Sequence, residues 1–288
     1  MLLDILKDFV SIGLELTLLF VGITFLVNLL QGLVPFEKLE KYMFGKSKIV
    51  GSTVAILLAF ITPFCSCSTI PIVVGMLQRK MRFGYVMIFL FASPVLDPTI
   101  LTLMTATLGW KVSIIYTVVT SILSIVIGFT LEFLGFEKAV KNVVVTGLGE
   151  YNKKLDFKYA LKETMSLMKT VYPYLLIGAL IGAIIHEAVP TEWIANTLGG
   201  NQWWLIPIAA IIGIPLYIRL STMIPIAQIF ILKGMALGPV MALIISSTGA
   251  SLPEVTLLNS IFQKRLVIAF VLSVITMASL SGTIFYLI

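Results

Sequence analysis

Apolar residues run almost continuously along this chain, with neither the alternation of strands nor the narrow stripe of surface helices. The stretches fall at 9–34, 49–78, 84–110, 112–135, 168–190, 203–232, 238–260 and 266–288. Runs of about 20 or more apolar residues read as membrane-crossing helices. The stretches 49–78 and 203–232 have 30 residues each, too many for one crossing and too few for two. Pro63 and Pro71 interrupt the first, and Pro215 and Pro225 the second. Two half-helices meeting at membrane depth, a re-entrant hairpin or short double span, fit that length. Such backbone is tolerated only where protein or a water-filled cavity covers it. Two further stretches are broken, 84–110 at Pro94 and Pro98 and 238–260 at Pro253.

The pattern repeats. With an offset of 154, residues 65–93 match 219–247 at 8 of 29 positions without a gap, including Pro71 with Pro225 and Gly84 with Gly238. Pro35, Glu37 and Gly45 recur as Pro190, Glu192 and Gly200. This predicts a first membrane repeat over 1–135, a basic connection over 136–164 and a second repeat over 165–288.

Charge then orients the halves. The segments 35–48, 79–82, 136–164 and 264–265 hold 15 of the 20 basic residues, and basic loops stay cytoplasmic. Loop 190–204 has no Lys or Arg, although its counterpart 35–48 has four. That reversal is what an inverted repeat produces. The expected fold is an all-α polytopic membrane protein, an inverted-topology tandem repeat with about six full crossings and two hairpins.

Composition agrees. The chain has 59% hydrophobic and 12% charged residues, with mean hydropathy +1.06, against about a quarter charged in soluble domains. A cytosolic enzyme, a coiled coil and a nucleic-acid-binding domain are excluded. The net charge of +6 is topological and implies no polyanion. The first apolar run follows Asp4, Lys7 and Asp8 and lacks a small-x-small cleavage site, so a retained span is expected there. The protein is therefore placed in the cytoplasmic membrane as a multi-pass chain in contact with lipid.

Candidate chemistry gathers at the interruptions. Cys65, Ser66, Cys67, Ser68 and Thr69 lie between Pro63 and Pro71 at the first hairpin tip. Thiols suit soft ions and electrophiles such as trivalent arsenic, and the hydroxyls add hydrogen bonds. The bland alternative is that small residues only let helices approach closely. With His186 as the single further N or S ligand besides the methionines, no zinc site and no resident cofactor are expected. The matching tip carries Arg219, Ser221 and Thr222. A guanidinium at depth would balance an anionic solute or a buried carboxylate, or would snorkel to the interface. Asp97 and Glu254 stand beside prolines at nearly equivalent places, fit for proton coupling, for charge balance with Arg219, or for capping a half-helix. No Walker loop, catalytic triad or HExxH motif occurs, so no enzyme activity is expected.

The string Thr62-Pro63-Phe64-Cys65-Ser66-Cys67-Ser68, then Ile70-Pro71-Ile72, Ala92-Ser93-Pro94 and Ser251-Leu252-Pro253-Glu254, resembles the bacterial and archaeal YraQ-like predicted permeases. That family includes the ArsP-type trivalent organoarsenical efflux permeases, and the resemblance spans nearly the whole chain. It implies secondary-active efflux of small thiol-reactive solutes, with Cys65 and Cys67 as soft ligands. Two alternatives stand beside it. One is uptake or exchange of another small anion anchored by Arg219. The other is a transmembrane thiol-redox relay working with a thioredoxin-like partner. A homo-oligomer or a second subunit is compatible with each.

Overall fold

A computed structural model describes residues 48–61, 66–141, 202–215 and 234–287, with isolated helical positions among 10–25, 161–177 and 227–231. The first half contains α1 (Lys48–Ile61), α2 (Ser66–Gln78), α3 (Phe83–Ala92), α4 (Pro98–Leu108) and α5 (Trp110–Phe133). A 3-10 turn, Phe136–Ala139, follows α5. The second half contains α6 (Leu205–Gly213), α7 (Leu237–Gly249), α8 (Leu252–Ile261) and α9 (Lys264–Leu287).

Two helices among the described residues, α5 and α9, are long and apolar enough to cross a membrane. A third span results if α7 and α8, bent by 42° at their junction, count as one. The side-chain pattern of α5 is that of a lipid-facing helix. Ile114, Val118, Ile122 and Val126 recur every fourth residue and are exposed. Ser113, Tyr116, Thr120, Ser124 and Gly128 face inward. Small and hydroxylated residues inside, with large aliphatics outside, reverse the soluble pattern because close helix packing replaces hydrophobic burial in lipid. Thr117 and Thr120 spend their donors within the helix, on the Ser113 carbonyl at 2.8 Å and the Tyr116 carbonyl at 2.6 Å.

Element boundaries recur with the period of the sequence. Helices α3, α4 and α5 begin at 83, 98 and 110, and α7, α8 and α9 at 237, 252 and 264, each 154 residues later. Packing recurs too, since α3 lies against α5 as α7 lies against α9. Each crossing has its own glycine pair at the same offset. A Cβ on Gly128 would stand 2.9 Å from the Gly84 carbonyl oxygen, and one on Gly282 2.8 Å from that of Gly238. Only glycine permits so close an approach of two backbones.

The matching helices α5 and α9 run in opposite directions. Beyond α5, Val140 forms an antiparallel bridge with Phe262, just before α9. The Lys141 N–H donates to the Ile261 carbonyl at 3.0 Å, and the Gln263 N–H to the Ala139 carbonyl at 2.8 Å. The end of α5 therefore meets the start of α9, and Ser124 Oγ approaches Met277 Sδ at 4.0 Å farther along. Arg82 ties the α2–α3 turn to the same end through Glu132. Arg79 and Lys80 lie in that turn, and Lys138, Lys141, Lys264 and Arg265 flank the bridge, while Lys111 stands at the other end of α5.

The halves share their cores. Val95 packs with Ile100, Met104 and the second-half residues Ala242 and Ile245. Ala250, Leu257 and Phe270 pack with the first-half residues of α3. Phe91 stacks on Phe270 with centroids 4.7 Å apart.

Candidate functional site

The site is built where helices stop short. Helix α3 ends at Ala92, and a turn over 93–97 follows, with the Leu96 N–H on the Ala92 carbonyl at 2.8 Å. Pro94 and Pro98 have no N–H to continue the ladder. One carbonyl exposed by this break is claimed from outside: the Tyr116 hydroxyl donates to the Val95 carbonyl at 3.0 Å. Both groups are fully buried, and a buried carbonyl left bare would cost about 1–3 kcal/mol.

Helix α2 is set against this break. It starts at Ser66, so Ser66, Cys67 and Ser68 form its first turn. One step on, the Thr69 hydroxyl meets the Ser93 hydroxyl at 3.2 Å, with both residues 1% exposed. Helix α2 also packs on α8 of the other half. The first turn of a helix presents unsatisfied N–H groups and the positive end of its dipole. A thiolate or an electron-rich solute gains from that position.

The second break touches the first. A Cβ on Gly249 would lie 3.7 Å from Val95 Cγ2, so the two interruptions stack across the boundary between halves. Around the second break Ser246, Ser247, Thr248, Ser251 and Glu254 are all buried, Glu254 to 2% exposure. The Ser246, Ser247 and Thr248 hydroxyls donate to carbonyls three residues back at 3.1–3.2 Å. Their oxygens keep lone pairs to accept with. The junction is thus a polar seam within an otherwise apolar interior, with Thr69 and Ser93 at the first break and Ser246, Ser247, Thr248, Ser251 and Glu254 at the second.

The two carboxylates occupy different rungs. Asp97 immediately precedes α4, with Pro98 as its first residue, and its carbonyl accepts the Leu101 N–H at 3.1 Å. Adding 154 to Asp97 reaches Ser251, the residue that opens α8. Glu254 lies in the first turn of α8, opposite Ile100 in the repeat. Asp97 and Glu254 are therefore one helical turn apart in the pseudo-symmetry, rather than close equivalents. Both stand at the positive end of a short helix, where a carboxylate is favoured.

Pro71 does not end a helix. It lies inside α2, where its missing N–H cannot serve the Cys67 carbonyl, a loss that buried membrane helices tolerate when neighbours supply donors. Pro215 lies in the turn after α6, and Pro253 in the first turn of α8. Pro63, Cys65, Arg219, Ser221, Thr222 and Pro225 lie outside the described residues. Among the described residues no three His, Cys, Asp or Glu side chains gather as for a metal ion.

Away from the seam, the basic end has its own cluster. Arg82 Nε donates to Glu132 Oε1 at 2.6 Å, and the guanidinium lies 5.7 Å and 5.5 Å from the ring centres of Tyr85 and Phe129. The Glu132 hydrogen bond holds the Arg82 pKa above its ordinary value. The repeat has Ala236 and Tyr286 at the matching positions, so this lock belongs to the first half.

Residues 1–287 match the family described as ArsP_1, predicted permease. UPF0718 protein MJ0584 of Methanocaldococcus jannaschii is 24% identical, over 82% of each chain. UPF0718 protein YraQ of Escherichia coli is 24% identical over 83% of this chain and 68% of its own. A Streptococcus mutans protein named as a putative two-component membrane permease complex subunit is 24% identical over 88% of this chain and 82% of its own. No solved structure matches. Membrane-length helices, proline-broken helices meeting at a polar seam and a match from end to end agree: the chain belongs to the ArsP_1 family of predicted permeases, and is a membrane permease rather than an enzyme.

Proposed function

We propose that the protein is a secondary-active permease that exports small thiol-reactive solutes of the trivalent organoarsenical type. The observation that carries this reading is the Thr69–Ser93 contact. It holds the first turn of α2, with Cys67 in it, against two stacked helix breaks. Soft trivalent arsenic prefers thiolate ligands, so Cys65 and Cys67 would bind it. Ser66, Ser68 and Thr69, with Ser221 and Thr222 from the other half, would supply hydrogen bonds. Glu254, buried in the seam, is the candidate proton carrier, and Asp97 and Arg219 would set the charge balance.

The inverted repeat belongs to the same proposal. Its supports are the 154-residue recurrence of elements and the opposed directions of α5 and α9. Rocking of one half against the other about a shared midplane site is how such repeats move solute. The basic end would face the cytoplasm. The name of the streptococcal relative makes a second subunit a reasonable companion.

Alkylation tests the binding half of the proposal. Phenylarsine oxide should slow maleimide modification of Cys65 and Cys67 in membranes about tenfold or more, while equimolar phosphate does nothing. Equal alkylation rates with and without the arsenical would remove the thiols from the site.

A further inference from the structure

Two carbonyls near the ends of α4 and α8 are matched by the repeat, and each is satisfied from the opposite half. Thr107 is the last residue but one of α4, and adding 154 reaches Ile261, the last of α8. Carbonyls in the last turn of a helix have no donor within it. That of Ile261 accepts the Lys141 N–H at 3.0 Å, and that of Thr107 accepts Gln228 Nε2 at 3.0 Å. The donors differ in kind. At the basic end the tie is backbone to backbone, since the Gln263 N–H also donates to the Ala139 carbonyl at 2.8 Å. The Lys141 ammonium adds a bond to the Asn259 carbonyl. At the far end, where α4 gives way to α5, the tie is a half-buried glutamine side chain. Its neighbours Ala227 and Phe230 share a core with Ile100 and Met104 of α4.

We propose that the boundary between the halves is hinged at the Val140–Phe262 bridge and latched by Gln228 on the Thr107 carbonyl, so that it opens on the side away from the basic cluster. This rests on the permease function proposed above and makes Gln228 a gating residue for it. Parting the far end gives up a side-chain hydrogen bond and apolar contacts that lipid replaces at little loss. The bared Thr107 carbonyl lies three residues from Trp110, 69% exposed, a residue type that marks the membrane–water interface. Parting the basic end would bare several backbone groups at once, each costly without a partner. Helix α4 runs from the first break, at Pro98, to the latch at Thr107, so releasing the latch uncovers the seam along α4.

The test places nitroxides on the full chain in nanodiscs through p-acetylphenylalanine, which leaves Cys65 and Cys67 unmodified. One labelled pair replaces Trp110 and Trp203, exposed residues at the far end of each half. Ile206, one turn after Trp203, approaches Gly282 near the end of α9. The other pair replaces Lys138 and Lys264 beside the bridge and is read by short-range dipolar broadening. In the parent, phenylarsine oxide should lengthen the 110–203 distance and leave the 138–264 pair unchanged. Without solute, Gln228→Leu should raise the longer 110–203 population about threefold, the effect of losing a typical hydrogen bond between membrane helices, again with 138–264 unchanged. Lys141→Ala, which keeps the backbone bonds, should alter neither pair. Movement at 138–264, with or without movement at 110–203, would overturn the hinge. An unchanged 110–203 distribution in Gln228→Leu would overturn the latch. Everted vesicles of the parent that accumulate no phenylarsine oxide would instead sink the permease function as proposed, and the solute-free distances in Gln228→Leu would still decide hinge and latch.

Discussion

Thr69 and Ser93 share one hydrogen bond in a place where neither hydroxyl has water to fall back on. Changing Thr69→Val or Ser93→Ala strands the partner, so each substitution should cost about 1–2 kcal/mol. A double-mutant cycle should return a coupling of only about 0.6 kcal/mol, the typical membrane value, in reversible unfolding from mixed micelles. Tyr116→Phe tests the same logic at the break, with an expected loss of about 1–3 kcal/mol from the bared Val95 carbonyl. An unchanged unfolding midpoint in Tyr116→Phe would mean that the carbonyl has another donor. These roles were only partly visible in the sequence. The Cys-Ser-Cys-Ser-Thr string marks itself by putting polar residues between prolines. Tyr116 is one tyrosine on an apolar helix, and its partner comes from a turn 21 residues away. Asp97 and Glu254 are legible as near equivalents, and the helix starts add the register, with Ser251 opposite Asp97 and Glu254 three residues on.

Among the elements, the interruptions near 93–98 and 250–253 were legible from proline and glycine alone, since neither supports a helix interior. Pro71 shows where that rule stops. In water a proline at this position would end α2, but a helix held on both sides by α3 and α8 absorbs the lost bond. The glycine crossings were half legible: Gly84 and Gly238 stood out as a repeated pair, whereas Gly128 and Gly282 lay beyond the aligned window. Their role predicts that Gly128→Leu and Gly282→Leu fail alike. Each inserts a side chain where even a Cβ lies within 3.0 Å of the facing backbone oxygen. Overpacking of this kind costs about 1–3 kcal/mol, and thermal inactivation in detergent should show similar drops for both. A drop in one only would break the pairing of α3–α5 with α7–α9. The Arg82–Glu132 pair should matter less. Arg82 is 37% exposed, so Glu132→Gln should shift stability by under about 1 kcal/mol.

For the whole molecule, the offset of 154 connects residue matches, element boundaries and helix crossings. Loop charge predicts opposed halves, an orientation that belongs to the proposed function; the Val140–Phe262 bridge joins the end of α5 to the start of α9. Tags at 79–82 and 262–263 should therefore be reached from one side of the membrane, and a tag at Gly109 from the other. The breaks near 93–98 and 249–253 are legible as unusual sequence but not as neighbours, because what brings Val95 against Gly249 is the packing of two halves rather than local pattern. In the proposed function the stacked breaks form a thiol-dependent transport site. Uptake of trivalent methylated and aromatic arsenicals into everted vesicles tests it most directly, with arsenite and simple anions for comparison and Cys65→Ser/Cys67→Ser run beside the parent. Accumulation of the organoarsenicals by the parent, abolished in the double variant, is the expected result. Equal accumulation by both proteins, or accumulation of anions alone, would contradict it.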